Sequence, residues 1–531
     1  MFEPESVHQH RKLAKKAFPF AGLLFIVFTF LWQAARIIRL RLPAGHDEAV
    51  YLLRSRDINE FGWRSVSGHY WSDYRAPGLP LVYAISNRIT FPSVSLARVI
   101  TAAFGCLLLV CVWYIGKSLV SHRVGLIACG LMIMTPSFLN SSTNILADVP
   151  GASLALCSIV LFLRGVKNNR FGIGWLGVPL FAGLATLTRF GSPITLGAGF
   201  LSIMIATFKF WRPYELNRWF LKLSALAFLV VAVCSSIIFT ELFTIAGETP
   251  TQSNHRLVSS KKLTPRTGLR DLVEVSNPWS EAPFHLWSGP IACLFCLGLL
   301  LTIWNFVRNS TSRSFALGMA SGVLLTALGL AFSVGLIVSN YLVIVLPFLS
   351  LLVAPALDTL LSPLAGRDRN KSLREGFIFV VAFVFAMFVN QATALAQNEE
   401  IRSKSGFEII RASATELGMS EDHKCVILTS YAPQVGYYSK CRVNHWSGSE
   451  RLSNFDGLSE QELDDLIREK LLIFSEEIDS GFSVFAFLLN NGKRQPEPHL
   501  FEVRAIFSEP EFVSSRGAGS RQTAWAQKIK D

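Results

Sequence analysis

Long apolar segments constrain this chain more than any other feature, because they recur along most of its length. A helix needs roughly 20 predominantly apolar residues to cross a bilayer, and 51% of the chain is hydrophobic. Pro136, Pro193 and Pro347 interrupt some segments, and proline kinks or ends a helix. The sequence predicts a polytopic α-helical membrane protein with about eleven transmembrane helices, centred on 18–35, 95–117, 124–140, 149–164, 173–189, 192–208, 220–245, 285–306, 315–337, 340–362 and 375–396.

Basic residues predict the orientation of these segments. Lys and Arg concentrate on the cytoplasmic side of membrane proteins, and the N-terminus is basic through Arg11, Lys12, Lys15 and Lys16. With eleven spans, five further junctions should be cytoplasmic. All five are basic, with Lys117 and Arg123; Arg164, Lys167 and Arg170; Lys209, Arg212 and Arg218; Arg308 and Arg313; Arg367, Arg369, Lys371 and Arg374.

This pattern predicts a multi-pass protein of the cell inner (plasma) membrane, with a cytoplasmic N-terminus and the C-terminal part outside the cytoplasm. The first apolar segment lacks a small-residue cleavage site, so we expect no cleaved signal peptide. The loops account for most of the net charge of +12, and no nucleic-acid partner is needed to explain it.

The chain divides by composition into a membrane module, a polar domain and a tail. Residues 1–396 form the module, with long outer loops at 38–94 and 246–284. Residues 397–513 alternate β-type runs (Lys424–Ser430, Phe482–Leu489, Phe501–Phe507) with helical ones, which predicts a small extracytoplasmic α/β domain. Residues 514–531 are rich in Ser, Gly and Arg and are expected to be disordered. Cys425 and Cys441 either form a disulfide there or remain free thiols.

Two acids open the loop that follows the first apolar segment. In GHDEAVY, Asp47 and Glu48 begin a stretch whose pattern predicts a helix over 47–60. On a helix, Asp47 shares a face with Tyr51 and Arg54, whereas Glu48 points elsewhere. Charged groups near a bilayer are costly and are functional candidates. We therefore expect Asp47 to be the main catalytic acid and Glu48 the second candidate. The alternative is that both acids complement the helix dipole.

The outer loops carry further charged candidates. The loop 38–94 has eight arginines, counting Arg36, and no lysine. Arginine suits phosphate because it can donate two parallel hydrogen bonds; contact with anionic lipid headgroups is the alternative. Arg75 precedes a proline-rich turn that would hold one cation at the membrane boundary. Asp148 stands just before a Pro–Gly helix start, where capping is the alternative. The basic loop 246–284 is long enough to close over a substrate.

Several motifs resemble those of a known family. GHDEAVY (45–51), YRAPGLPLVYA (74–84) and ILADVPGA (145–152) resemble the GT-C glycosyltransferases. The likeness is in particular to the protein O-mannosyltransferase family and its bacterial relatives, such as lipid A aminoarabinose transferases. Weaker matches lie at 340–357 and 426–443.

The resemblance implies a transferase that uses a polyprenyl-phosphate-linked sugar on the outer face of the membrane. Asp47 would be the base on the acceptor hydroxyl, and Asp148 would match the family's second acid. Arg75 stands where the family usually has a lysine that contacts the donor phosphate. Tyr51 matches the tyrosine after the acidic pair.

Arg54 and Tyr341 complete the expected substrate-binding set. Val50 and Asn340 depart from the family pattern, since both stand at positions where arginine is found in relatives. The expected partners are the lipid-linked sugar, membrane lipids, and an acceptor that is a protein, lipid A, a polysaccharide or a lipid.

Two other functions compete with this prediction. A transporter or flippase for a polyprenyl-linked or anionic lipid would explain the basic outer loops, but proton-coupled carriers usually need acids at mid-membrane. A structural or assembly protein would tolerate changes at Asp47 and Asp148. His46, His69 and His255 have no spacing typical of zinc, so we assign no metal ligands. The sequence does not require a cofactor, and a divalent ion stays an open alternative.

Overall fold

The computed structural model describes most of the membrane-spanning part and the strands of the C-terminal part. The main described ranges are 5–61, 76–90, 93–168, 173–208, 289–308, 313–333 and 339–361, with short helical pieces at 225–276 and 411–415. In the C-terminal part the described ranges are 425–429, 432–439, 442–445, 483–490, 497–503 and 511–513. The predicted domain boundary at 396 and the predicted disordered tail from 514 lie outside these ranges.

The chain divides into two compact units. The first comprises Met1–Leu40, Ala76–Leu79 and Ser95–Gln397, and the second comprises Arg41–Arg75, Pro80–Val94 and Asn398–Asp531. The second unit therefore joins residues of the first outer loop to residues of the C-terminal part.

The first unit is helical in its described part. Its helices are α1 (Glu5–Arg39), the start of α3 (Gly78–Ile89), α4 (Val94–Leu119), α5 (His122–Ile133), α6 (Pro136–Thr143), α7 (Asp148–Asn168), a 3-10 turn (Ile173–Leu176), α8 (Gly177–Thr188), α9 (Ser192–Thr207), α10 (Gly289–Arg308), α11 (Arg313–Ser333), α12 (Ser339–Leu342) and α13 (Leu346–Leu361); α2 belongs to the second unit and is described below.

Four helices of the described residues are long and apolar enough to cross a membrane, within α1, α4, α7 and α11. A fifth span is formed if α5 and α6 count together, and these two helices meet at 74°. The sequence predicted one span centred on 124–140, with Pro136 as an interruption in it. The bend has a local cause, because Pro136 cannot donate the backbone hydrogen bond that would continue α5. The count of eleven spans stays a prediction.

The described helices of the first unit pack around a large apolar core, with a smaller cluster beside it, and present large apolar side chains outward. Phe30, Leu108, Phe138 and Phe348 are among the buried core residues. On the outer faces of the helices, exposed side chains include Phe28 of α1, Leu300 and Trp304 of α10, and Leu324 of α11. Lipid tails can solvate such residues without penalty, which fits helices that span a bilayer.

Small residues allow α9 and α11 to approach closely. A Cβ atom at Gly318 of α11 would lie 2.5 Å from the backbone oxygen of Ser202 in α9. One at Gly322 would lie 2.5 Å from the Ser202 Oγ. Helices in membranes associate largely through such close packing of small residues, so these glycines hold the two helices together.

The second unit contains α2 (His46–Phe61), the rest of α3, α14 (Ala432–Ser439) and a five-stranded sheet. The strands are β1 (Cys425–Thr429), β2 (Arg442–His445), β3 (Ser483–Asn490), β4 (Glu497–Val503) and β5 (Glu511–Val513), in the order β2-β1-β3-β4-β5. β1 pairs in parallel with β2 and β3, and the other pairs are antiparallel. α14 connects the parallel strands β1 and β2, as parallel pairing requires a crossover.

The structure confirms two predicted strands and shifts the third. β1 and β3 match the runs at 424–430 and 482–489, but β4 begins at Glu497 rather than at Phe501. The reason is strand pairing, because Glu497 pairs with Asn490 and extends β4 beyond its apolar run. The short strands β2 and β5 were not predicted. Cys441 lies outside the described residues, so its pairing with Cys425 stays a prediction.

Candidate active site

The predicted helix of the first outer loop is present and begins at the two acids. α2 starts directly after Gly45, whose carbonyl accepts the first helical hydrogen bond from Ala49. The Oε2 atom of Glu48 accepts a hydrogen bond of 2.8 Å from the Gly45 backbone N–H. A glutamate at the third helical position commonly caps a helix in this way. Glu48 is only 3% exposed, so its carboxylate is a buried cap.

Asp47 is the more accessible of the two acids. Its side chain is partly exposed, while Tyr51 and Arg54, one and two turns further along α2, are buried. Residues at this spacing share one helix face. The helix predicted from the sequence thus lines up three of the candidate residues, and it separates Asp47 from Glu48.

Two neighbouring elements of the same unit hold α2. From α3, the Asn87 side-chain amide donates to the Ser55 Oγ at 3.1 Å. From α14, the Tyr438 hydroxyl accepts a 2.7 Å hydrogen bond from the Ala44 N–H, just before the helix. The Arg56 guanidinium donates to the carbonyl of Gly436 at 3.1 Å. A helix of the C-terminal part therefore contacts the entry to α2 and its third turn.

The first unit contains a second cluster, around Asp148. Asp148 opens α7 and forms an ion pair with Arg189, which follows the last residue of α8. The two side chains are 8% and 13% exposed, respectively. The Arg189 guanidinium also lies over the ring of Tyr341, 5.0 Å from its centroid, which is a cation–π arrangement. The structure therefore brings Asp148 and Tyr341 together through a third residue.

Glycines of two recognised motifs pack against the same turn. A Cβ at Gly78 would lie 2.8 Å from the carbonyl carbon of Leu187, at the end of α8. A Cβ at Gly151 would lie 2.9 Å from the Cβ of Arg189. Only glycine fits at such distances without a backbone shift. These two motifs thus converge on the end of α8, where Arg189 is located.

Arg189 is not among the site residues predicted from the sequence. The residue stands at the end of the predicted span 173–189 and directly before a break between two apolar helices. A charged residue at such a position is a candidate functional residue, and Arg189 could have been predicted on this ground.

Other predicted features lie outside the described residues. Arg75 is one of them, as are His69, His255 and most of the loop 246–284. Within the described ranges, His, Cys, Asp and Glu side chains form no group of three or more that could hold a metal ion.

Comparison with known proteins identifies the fold. Residues 74–237 match the family model of dolichyl-phosphate-mannose-protein mannosyltransferases. The structure is similar to that of ArnT from Cupriavidus metallidurans bound to undecaprenyl phosphate, with a TM-score of 0.60 and 14% identity over 88% of this chain and 92% of that chain. No curated protein sequence matches the chain.

A second similar structure is the oligosaccharyltransferase AglB from Archaeoglobus fulgidus, in complex with an inhibitory peptide and a dolichol-phosphate. Its TM-score is 0.56 at 14% identity, over 89% of this chain and 70% of that chain. At these identities the structural likeness bears on the fold, and the family match bears on the activity. Together they show that the chain has the GT-C fold of membrane glycosyltransferases, and they support glycosyl transfer as its activity.

Proposed function

We propose that this protein transfers a sugar from a polyprenyl-phosphate-linked donor to an acceptor hydroxyl on the outer face of the membrane. The acceptor oxygen attacks the anomeric carbon, the bond from that carbon to the phosphate oxygen breaks, and polyprenyl phosphate leaves. The hydroxyl proton passes to Asp47. Attack opposite the leaving group inverts the anomeric centre. The family match over residues 74–237 is the observation that carries this proposal.

The donor class is supported by the lipids bound to the similar structures. ArnT holds undecaprenyl phosphate and AglB holds a dolichol-phosphate, and both lipids are polyprenyl phosphates. A sugar linked to such a phosphate already carries its leaving group. Cations that neutralise the developing phosphate charge would then supply most of the catalysis. We assign this role to Arg75 and substrate contacts to Tyr51, Arg54 and Tyr341.

Asp47 is a better candidate for the base than Glu48. A general base must come within hydrogen-bond reach of the proton that it removes. The Glu48 carboxylate is buried and accepts the Gly45 N–H, whereas Asp47 is partly exposed. We therefore assign proton removal to Asp47 and helix capping to Glu48.

We assign Asp148 to the orientation of the acceptor or the sugar. Its ion pair with Arg189 and the stacking of Arg189 on Tyr341 support this role, because they hold the carboxylate in a fixed direction. The acceptor is a hydroxyl group of a protein, lipid A, a polysaccharide or a lipid. The reaction as proposed needs no metal ion.

The test is mass spectrometry of envelope glycans and glycolipids from a deletion strain complemented with wild type or with Asp47→Asn. We expect wild type to restore one monosaccharide on a defined acceptor. Asp47→Asn keeps the shape of the side chain but removes the base, so transfer should fall by ~10²–10⁴-fold, which is typical of general-base catalysis.

Asp57→Asn is the matched control, because it makes the same chemical change on the same helix, nearly three turns further along at about 3.6 residues per turn. This variant should restore the sugar fully. Equal restoration by Asp47→Asn would remove Asp47 from the role of base. Failure of wild type to alter any envelope sugar would instead favour lipid transport or assembly.

A further inference from the structure

We propose that α14 is a positioning element for the catalytic helix and that Tyr438 sets the direction of its first turn. This inference rests on the proposed role of Asp47. The residues involved all belong to the second unit. The chemistry is a hydrogen bond between a side chain of α14 and the backbone just before α2.

The bond joins Ala44 to Tyr438, which are 394 residues apart in sequence. Ala44 is fully buried, and its N–H donates to the Tyr438 hydroxyl at 2.7 Å. A buried backbone N–H without a partner is costly. The bond therefore favours the conformation in which the Tyr438 hydroxyl contacts the backbone just before α2.

The next backbone N–H along the chain is fixed as well. Gly45 donates to the Glu48 carboxylate, within the first turn of α2. Two consecutive N–H groups are thus held by side chains, one from α14 and one from α2 itself. Asp47 lies in this turn, two residues after Gly45. The direction of its side chain follows from how the turn is held.

A second contact fixes the angle between the two helices. Arg56, in the third turn of α2, donates to the Gly436 carbonyl of α14 at 3.1 Å. Val435 and Ser439 of α14 are fully buried, so α14 is itself firmly packed. One hydrogen bond just before α2 and one in its third turn restrict both its tilt and its rotation.

Hydrogen–deuterium exchange of the purified full chain would measure the effect of Tyr438→Phe on this turn. The change removes the hydroxyl and keeps the ring, which packs against Tyr437 at 5.0 Å between centroids. We expect faster exchange in peptides that cover residues 41–48, and unchanged exchange in β1 and β3. The matched control is Tyr437→Phe, which leaves the Ala44 bond in place and should not change exchange at 41–48.

Transfer by the same variants would show whether the turn positions the base. With a lipid extract of the deletion strain as donor, the maximum rate of Tyr438→Phe should fall between ~5-fold, for one lost hydrogen bond, and ~100-fold, for a shift of about 1 Å. The apparent KM for the extract should stay within about twofold, because the change does not remove a donor contact. A variant that merely lost stability would lower the amount of folded protein without this pattern.

Unchanged exchange at 41–48 in Tyr438→Phe would overturn the inference, and so would faster exchange with a wild-type maximum rate. If Tyr438→Phe does not fold, Arg56→Gln removes the second contact and should give faster exchange in α2 with a smaller loss of rate. Wild-type exchange and rate in Arg56→Gln would then overturn the inference. Full activity of Asp47→Asn would contradict the proposed base alone, because the exchange result does not depend on the identity of the base.

Discussion

The ion pair between Asp148 and Arg189 shows how single residues acquire roles in this protein. Asp148 stands at a helix start, where a local interpretation would assign it to capping. The structure pairs it with an arginine 41 residues later in the chain and places that arginine over Tyr341. Both charges are largely buried. Removal of one partner of a buried pair leaves the other charge uncompensated, which is strongly destabilising.

We expect Arg189→Ala to lower the free energy of unfolding by about 3–5 kcal/mol, because it leaves the Asp148 carboxylate without its partner. The double variant Arg189→Ala/Asp148→Ala should recover much of this stability, since neither charge remains. It should not recover sugar transfer, because Asp148 is missing. Denaturant unfolding in detergent and the complementation assay measure the two quantities.

A double variant no more stable than Arg189→Ala would show that the pair is not coupled. A double variant with full transfer would exclude Asp148 from the site.

At the scale of elements, glycines decide which helices come close. In α9 and α11 the approach depends on Gly318, whose added Cβ would meet the Ser202 backbone oxygen at 2.5 Å. Gly197 of α9 differs, because no atom lies within 4 Å of its added Cβ. Both positions are glycines within helices, but Gly318 is in close contact with a neighbouring helix and Gly197 is not.

We expect Gly318→Ala to destabilise the protein by about 1–3 kcal/mol, since the added methyl group forces two backbones apart. Gly197→Ala is the control and should be neutral or stabilise the protein by up to about 1 kcal/mol, because alanine favours a helix more than glycine does. Thermal unfolding of both variants in the same detergent compares them. Equal stability of the two would contradict the close packing of α9 on α11.

At the scale of the whole molecule, the fold is that of the GT-C glycosyltransferases. The predicted orientation decides on which side of the membrane the proposed reaction takes place. Basic residues at the five predicted cytoplasmic junctions predict that the first outer loop and the C-terminal part lie outside the cytoplasm. The structure groups residues of both in one compact unit, which requires them to lie on the same side.

We expect alkaline phosphatase fused to the C-terminus to be active, because this reporter folds only outside the cytoplasm. A fusion at Arg212, in a predicted cytoplasmic junction, is the control and should be inactive. The reverse pair of results would place Asp47, the proposed base, on the cytoplasmic face and contradict the proposed reaction side.

Local features of the fold could be predicted from the sequence. Apolar length predicted the helices α4, α7, α8, α9 and α11, and the acidic start and later arginines predicted α2. Alternating apolar residues predicted β1 and β3. These predictions succeed because helix and strand periodicity depend on residues a few positions apart. The interruption at Pro136 was predicted from the sequence, but the 74° angle between α5 and α6 was not. The early start of β4 was missed because it depends on strand pairing.

The sequence by itself determined the membrane helices, the charge pattern at their ends and the motifs that hold Asp47, Glu48 and Asp148. Only the tertiary structure decided that Glu48 caps α2, that Arg189 pairs with Asp148, and that Tyr438 bonds to Ala44. The last two pairs, which are 41 and 394 residues apart in sequence, meet only when the chain folds. A local pattern can therefore nominate a charged residue, but the residue that neutralises or orients it is chosen by the fold.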